Sequence, residues 1–286
     1  MDRVHFITGP TASGKTRLAV ELARRIDAEI VSADSRQVFR GMDIGTGKDL
    51  DEYGTIPYHL IDIVDPGTRF SLHEWLTAAR TALADIAARG KQAIVCGGTG
   101  LYIEALAADF RLAQGAGPDY EMRDRLEALP LPELLQMVEK HGVAVPEGDR
   151  QNPRRIARAI ERQLSLTADS AQPSRSANPA TVLLVDIPRE TRRERIATRL
   201  YARLREGMVA EIEGLLAKGV PAQTLIGYGL EYRFVTLYLL GQMSYDDMVR
   251  DLLTAIRQFS KRQMTYFRGM ERRGIPIKPF DLENFA

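Results

Sequence analysis

Cysteine is almost missing from this 286-residue chain: there is one, Cys96, beside one tryptophan and an aromatic content of 7%. A single cysteine excludes a disulfide scaffold, and nothing in the sequence signals an oxidising compartment. Cys96 ends the apolar run Ala93-Ile94-Val95-Cys96, so it reads as a buried strand thiol rather than a nucleophile. An excess of one charge is missing as well. Lys+Arg number 39 against 38 Asp+Glu, for a net charge of +1, so composition gives no overall nucleic-acid signal. Histidine occurs four times, and His59 has no second ligand at metal-binding spacing. It is read as structural, and no zinc site is expected. No window approaches the roughly 18 apolar residues of a membrane span, and the N-terminus MDRVHFITGP lacks the pattern of a cleavable signal. The expectation is a soluble cytoplasmic protein without membrane association.

What is present alternates. Residues 4–8 form a short apolar, β-branched run followed by a glycine-rich loop. Residues 17–26 then carry Leu18, Leu22 and Ile26 at helical spacing. Further strands are expected at 28–32 and 92–96, with a helix over 75–89 between them. Such alternation predicts a parallel sheet covered by helices. After Phe110 the pattern becomes helical only, over 121–129, 131–140 and 154–164, punctuated by Pro130, Pro132 and Pro146. A small-residue linker, LTADSAQPSRSANPA, leads back to a strand at 181–186. The rest is mostly helix, including a long basic one at 246–268, before a last strand near 275–280. The expected fold is therefore α/β: a P-loop NTPase-like parallel sheet with helices on both faces and an inserted helical subdomain. The core takes residues 1–112 and 178–286, and the insertion takes 113–177.

Gly9-Pro10-Thr11-Ala12-Ser13-Gly14-Lys15-Thr16 has the GxxxxGK[ST] spacing in a strand-to-helix context. Its amides turn inward on one anion, Lys15 adds a point charge, Thr16 offers a hydroxyl to Mg²⁺, and the helix N-terminus adds partial positive charge. That pattern makes a phosphate grip, but it does not choose among NTP hydrolysis, phosphoryl transfer and displacement of diphosphate from carbon. The second strand ends in Asp34-Ser35-Arg36-Gln37 and the third in the glycine turn Gly97-Gly98-Thr99-Gly100, both at the sheet edge that carries the P-loop. Asp34 there can hold Mg²⁺, accept a proton or cap a helix. Thr99 can donate or accept a hydrogen bond. Basic residues concentrate in 150–162, 189–205 and 257–273. In the first cluster, Arg154 and Arg158 share a helix face with Arg155 alongside, a stripe suited to RNA phosphates or to plain solvation.

GPTASGKT, SADSRQVFRGMDIGTGK, IPYHLIDIVDP, GGTGLYIEAL, NPRRIARAIE, IGYGLEY and RQFSKRQMTYFRG, in this order, resemble the tRNA dimethylallyltransferase family over most of the chain. The resemblance implies transfer of a dimethylallyl group from dimethylallyl diphosphate to N6 of adenosine 37, in the anticodon stem-loop of tRNAs that read codons beginning with U. It also implies Mg²⁺ as cofactor and a monomer. By the same resemblance Asp34 is the general base, Thr99 lies near the target phosphate, and Asp34, Ser35, Arg36 and Gln37 meet the flipped nucleotide. Arg123 and the stretch Arg154, Arg155, Ile156, Ala157, Arg158 are implied to meet the tRNA. The P-loop then grips a leaving group. The sequence departs from the family at Gly47-Lys48-Asp49, at 168–180 and within IGYGLEY. Rival readings are an isopentenyltransferase acting on free AMP or ADP, a small-molecule P-loop kinase, and an RNA-binding protein without catalysis.

Overall fold

The computed structural model describes residues 3–110, 118–165, 174 and 176–281. Six strands, β1 (Val4–Thr8), β2 (Ala28–Ser32), β3 (Tyr58–His59), β4 (Gln92–Gly97), β5 (Val182–Asp186) and β6 (Ile277–Asp281), form one sheet in the order β3-β2-β4-β1-β5-β6. Every pairing is parallel. Phe6, Ile7, Ile30, Val31, Ile94 and Val95 are all buried, as continuous apolar strands must be when a sheet is covered on both faces. The chain from β1 to β2 passes over β4, whereas β5 lies on the other side of β1. The ends of β1, β2 and β4 therefore open on a topological switch point, where α/β sheets bind ligands.

Helix α1 (Lys15–Ile26) starts two residues before the apolar period indicates. Helix α2 (Leu72–Ala88) starts three residues before its expected position because Ser71 and Glu74 form a reciprocal capping box. Helix α3 (Gly100–Ala107) follows β4 directly and is buried continuously from Tyr102 to Ala107. The indole of Trp75 is stacked 4.4 Å from the Tyr102 ring and donates to the Ser32 carbonyl at 3.1 Å, tying α2 and α3 to the end of β2.

The chain divides into two compact units, one of Met1–Asp109 with Ser176–Ala286, the other of Phe110–Arg175. In the smaller unit α4 (Tyr120–Glu127), α5 (Leu131–Lys140) and α6 (Pro153–Ser165) pack around Leu126, Leu134, Val138, Ile156 and Ile160. The linker expected over 166–180 lies mostly outside the described residues. The larger unit continues with α7 (Arg189–Glu206), α8 (Met208–Ala217), α9 (Ala222–Gly227), α10 (Leu230–Leu239) and α11 (Tyr245–Arg272). Among the described residues no helix is long and apolar enough to cross a membrane.

Gly97 shows how tightly the crevice edge is built. A methyl group there would lie 2.1 Å from the carbonyl oxygen of Ala33, an atom that already accepts from Thr99 N at 3.1 Å. Gly97→Ala is expected to destabilise the protein by about 1–3 kcal/mol, the usual cost of overpacking a rigid backbone contact. A thermal melt would read this as a lowered midpoint.

Candidate active site at the edge of the sheet

Between β1 and α1 the loop reverses through two left-handed residues, Ala12 (φ 62°) and Gly14 (φ 87°). Ser13 N donates back to Pro10 O at 3.2 Å. This geometry turns successive amides toward one point and makes an anion-binding concavity. Lys15 and Thr16 open α1. The Thr16 hydroxyl makes no hydrogen bond among the described residues, and Ser13 Oγ is buried without a partner.

Two distant helices complete the loop. Gln263 of α11 accepts from Thr11 N at 2.9 Å through Oε1 and donates from Nε2 to Gly98 O at 2.9 Å, so one amide joins both glycine turns. From α7, Arg199 donates to the Thr11 hydroxyl. Arg203, one helical turn further on and only 6% exposed, pairs with Asp49 at 3.4 Å. Gly47 makes room for Arg203, because a Cβ there would sit 1.6 Å from its Nη2. Burial holds the Lys15 ammonium below the ordinary lysine range, with Arg199 adding to the effect and Asp34 opposing it. Burial and the neighbouring Arg203 push Arg199 down to about 10, still cationic at neutral pH. Burial raises the carboxyls of Glu231 and Glu52 beside them. Among the described residues neither Lys15 nor Arg199 has a carboxylate at ion-pair distance. Cations without a carboxylate partner, set around converging amides, call for a multiply charged anion.

Across the crevice the end of β2 forms a tight turn. Asp34 Oδ1 accepts from Arg36 N at 2.9 Å, so the carboxylate closes this turn rather than capping a helix. Ser35 N donates to Thr99 Oγ1 at 3.0 Å, which ties the turn to the end of β4. Gln37 is held on both sides, by Ser32 Oγ donating to its Oε1 at 2.9 Å and by its Nε2 donating to Gly47 O at 3.0 Å. The Arg36 guanidinium stands 5.8 Å from the Tyr228 ring centroid and reaches Gly227 O at 3.5 Å. The structure thus gathers Gly9 to Thr16, Asp34 to Gln37 and Thr99 at one sheet edge. Sequence reasoning missed Arg199, Arg203 and Gln263. Their only signals were the i, i+4 arginine pair within the basic stretch 189–205 and the second of two glutamines in RQFSKRQ.

The smaller unit alters two expectations. Ile156 and Ala157, implied to meet tRNA, have 0% exposure and belong to the helical core, because in α6 they lie on the inner face while Arg154, Arg155 and Arg158 lie on the outer one. Arg123 is not a free cation. Its Nε and Nη2 bond the buried Glu161 carboxylate at 2.7 and 2.9 Å, and Asp119 N donates to the same group at 2.9 Å. Outside, Arg154 keeps 76% of its side chain exposed and Arg155 pairs with Asp149.

His59 Nε2 lies 2.7 Å from buried Glu29 Oε2, which Arg89 also bonds at 2.7 Å. Burial pushes the Cys96 thiol up to about 12, so it is inert at neutral pH. No group of three or more acidic, His or Cys residues is placed to hold a metal among the described residues. A divalent ion at this site would have the Thr16 hydroxyl, oxygens of a bound anion and water as donors, a set that suits Mg²⁺.

Residues 37–270 match the IPP transferase family, and residues 2–54 match isopentenyl transferase. The chain belongs to the IPP transferase family. Within that family, a Porphyromonas gingivalis protein named tRNA dimethylallyltransferase 2 is 50% identical over 281 residues, covering 96% of this chain and 92% of its own. One from Geotalea uraniireducens, named tRNA dimethylallyltransferase 1, is 46% identical over 273 residues, covering 95% of this chain and 90% of its own. The solved full-length tRNA isopentenylpyrophosphate transferase of Bacillus halodurans superposes with a TM-score of 0.70 at 30% identity, over 98% of this chain and 90% of that one. The P-loop NTPase-like sheet described above is the fold of this IPP transferase.

Proposed function

We propose that this IPP transferase moves a dimethylallyl group from dimethylallyl diphosphate to N6 of adenosine 37 in cytoplasmic tRNAs that read codons beginning with U. The observation that carries the reading is the division of the sheet edge. Lys15, Arg199 and converging amides gather at the end of β1, and a carboxylate with polar amide and hydroxyl groups stands at the ends of β2 and β4. An anionic leaving group suits the first half and a purine suits the second.

The adenine amine is a weak nucleophile because its lone pair is delocalised into the ring. As N6 forms its bond to C1 of the donor, the bond from C1 to the bridging oxygen breaks and the electron pair leaves with diphosphate. Asp34 takes the N6 proton. Charge gathering on the leaving oxygens is met by Lys15, Arg199 and the loop amides. Bound Mg²⁺, held through Thr16 and the diphosphate, would supply further charge neutralisation. The target nucleotide must leave its stack, a cost of a few kcal/mol that contacts to Ser35, Arg36, Gln37 and Thr99 offset.

The test is incubation with dimethylallyl diphosphate, Mg²⁺ and unmodified tRNA, read by mass spectrometry of the nucleosides. Prenylated adenosine 37 is the expected product. Equal transfer to free AMP would instead make this an adenylate isopentenyltransferase, ATP consumption without transfer a kinase, and tRNA binding without product a non-catalytic binder. With Arg154 and Arg158 both replaced by alanine, tRNA affinity is expected to fall. Its logarithmic salt slope should fall by about 1.5, two contacts at roughly 0.7–0.9 each, with donor affinity kept. An unchanged slope would return the stripe to solvent.

A further inference from the structure

Loop 42–49 joins the turn at Asp34–Gln37 to the 3-10 turn Leu50–Tyr53, and nothing in the chemistry above acts through it directly. Three consecutive amides in it, of Asp43, Ile44 and Gly45, donate to one carboxylate, that of Glu211 on α8, at 2.7, 2.6 and 3.0 Å. The Tyr232 hydroxyl of α10 donates to the same group at 2.7 Å. Burial, with the charge of Glu211 beside it, keeps that phenol protonated. Successive amides aimed at one point form a concavity of the kind that takes phosphate elsewhere; here the chain's own side chain fills it. From the other side Lys48, 1% exposed, donates to Phe39 O at 2.8 Å and to Asp43 at 2.6 Å and pairs with Asp62. A loop anchored at so many points is a rigid support. What it supports is Gln37, through the Gly47 carbonyl.

We infer that Glu211 is a positioning residue for the acceptor: by filling the 43–45 amide concavity it fixes the Gly47 carbonyl that, with Ser32, sets the orientation of the Gln37 amide. The inference rests on the proposed placement of the target adenosine against Gln37. With Ser32 Oγ and Gly47 O engaged, that amide keeps one N–H and one lone pair for a ligand, in a fixed order. A carboxylate is needed at residue 211 because it offers two oxygens and no donor to four converging donors. Glutamine would set its own N–H₂ against them. Once the support loosens, a displacement of about 1 Å at a substrate contact costs up to about 10² in rate.

The experiment is a kinetic cycle on the full chain with tRNA and dimethylallyl diphosphate: wild type, Glu211→Gln, Gln37→Ala and the double variant, each checked for folding by circular dichroism. Glu211→Gln is expected to raise the tRNA KM and lower kcat, together about tenfold or more in kcat/KM. The donor Kd should stay within about twofold, because Lys15 and Arg199 are set by α1 and α7, outside this loop. The double variant should lie within about twofold of Gln37→Ala alone, since without the amide there is nothing left to orient. Wild-type kinetics for Glu211→Gln, or losses that simply multiply in the double variant, overturn the inference. If Glu211→Gln does not fold, Tyr232→Phe takes its place in the cycle and must show the same non-additivity with a smaller effect. Gln37→Ala with wild-type kinetics removes Gln37 from the acceptor site and this inference with it. Wild-type protein that fails to prenylate tRNA takes down the functional reading itself.

Discussion

Asp34→Asn is expected to lower kcat for prenyl transfer by about 10²–10⁴, the usual worth of a positioned general base, with KM for both substrates within a few-fold of wild type. The substitution separates the job that the carboxylate has in the structure from the one proposed for it in catalysis. As a turn-former, Asp34 uses Oδ1 to accept from Arg36 N at 2.9 Å, and the asparagine carbonyl oxygen can do the same. Accepting a proton from the adenine amine requires a basic oxygen, which an amide lacks. Single-turnover rates at saturating tRNA and donor measure the second job, and melting temperature measures the first. An unchanged rate with a lowered melting temperature would reduce Asp34 to a turn-former. Recovery of the rate at high Mg²⁺ would make it a metal ligand.

Lys15→Ala is expected to weaken the donor Kd about 10- to 100-fold, the equivalent of one hydrogen bond to a charged group at about 1.5–3 kcal/mol. It should cost about 10²–10³ in rate, as losing one preorganised donor at a developing charge does. Calorimetric titration with dimethylallyl diphosphate checks the first figure and quenched-flow the second. Lys15 also fixes the sign of a pH effect. On the proposed function its ammonium binds diphosphate, so affinity is full below the folded-state pKa and declines above it. Burial holds that pKa below the ordinary range, so the decline begins at a lower pH than for a free lysine near 10.4. Bound diphosphate favours the ammonium, so binding above that midpoint takes up a proton. Affinity that rose with pH would show Lys15 facing away from the anion.

The parts of the fold legible in the sequence are those whose signal is local. The runs at 4–8 and 28–32 match β1 and β2 residue for residue because each is bounded by turn-forming residues. The expected helix over 131–140 matches α5. Strand β3 is invisible beforehand, since two residues carry no period; only pairing of Tyr58 and His59 with Ile30 and Val31 makes it a strand. Helix α3 is hidden for the opposite reason, since every side chain from Tyr102 to Ala107 is buried and no amphipathic period marks it. At the site, the P-loop, Asp34 to Gln37 and Thr99 stand out because each motif immediately follows a strand. Arg199 and Gln263 do not. They reach Thr11 from 188 and 252 residues away, and only tertiary packing selects them from their basic neighbours. Ile156 and Ala157 fail as surface residues because a motif marks a stretch of chain, whereas a helix sends consecutive residues to different faces.

The bridge made by Gln263 bears on the order in which the protein becomes competent during synthesis. Residues 9–16 leave the ribosome early, although β1 must wait for β4 to pair with. Thr11 and Gly98 are joined only after α11 has emerged and docked. A nascent chain of two hundred residues therefore carries the whole phosphate-loop motif without its clamp. If the proposed function holds, this topology works against premature capture of diphosphate by half-made enzyme.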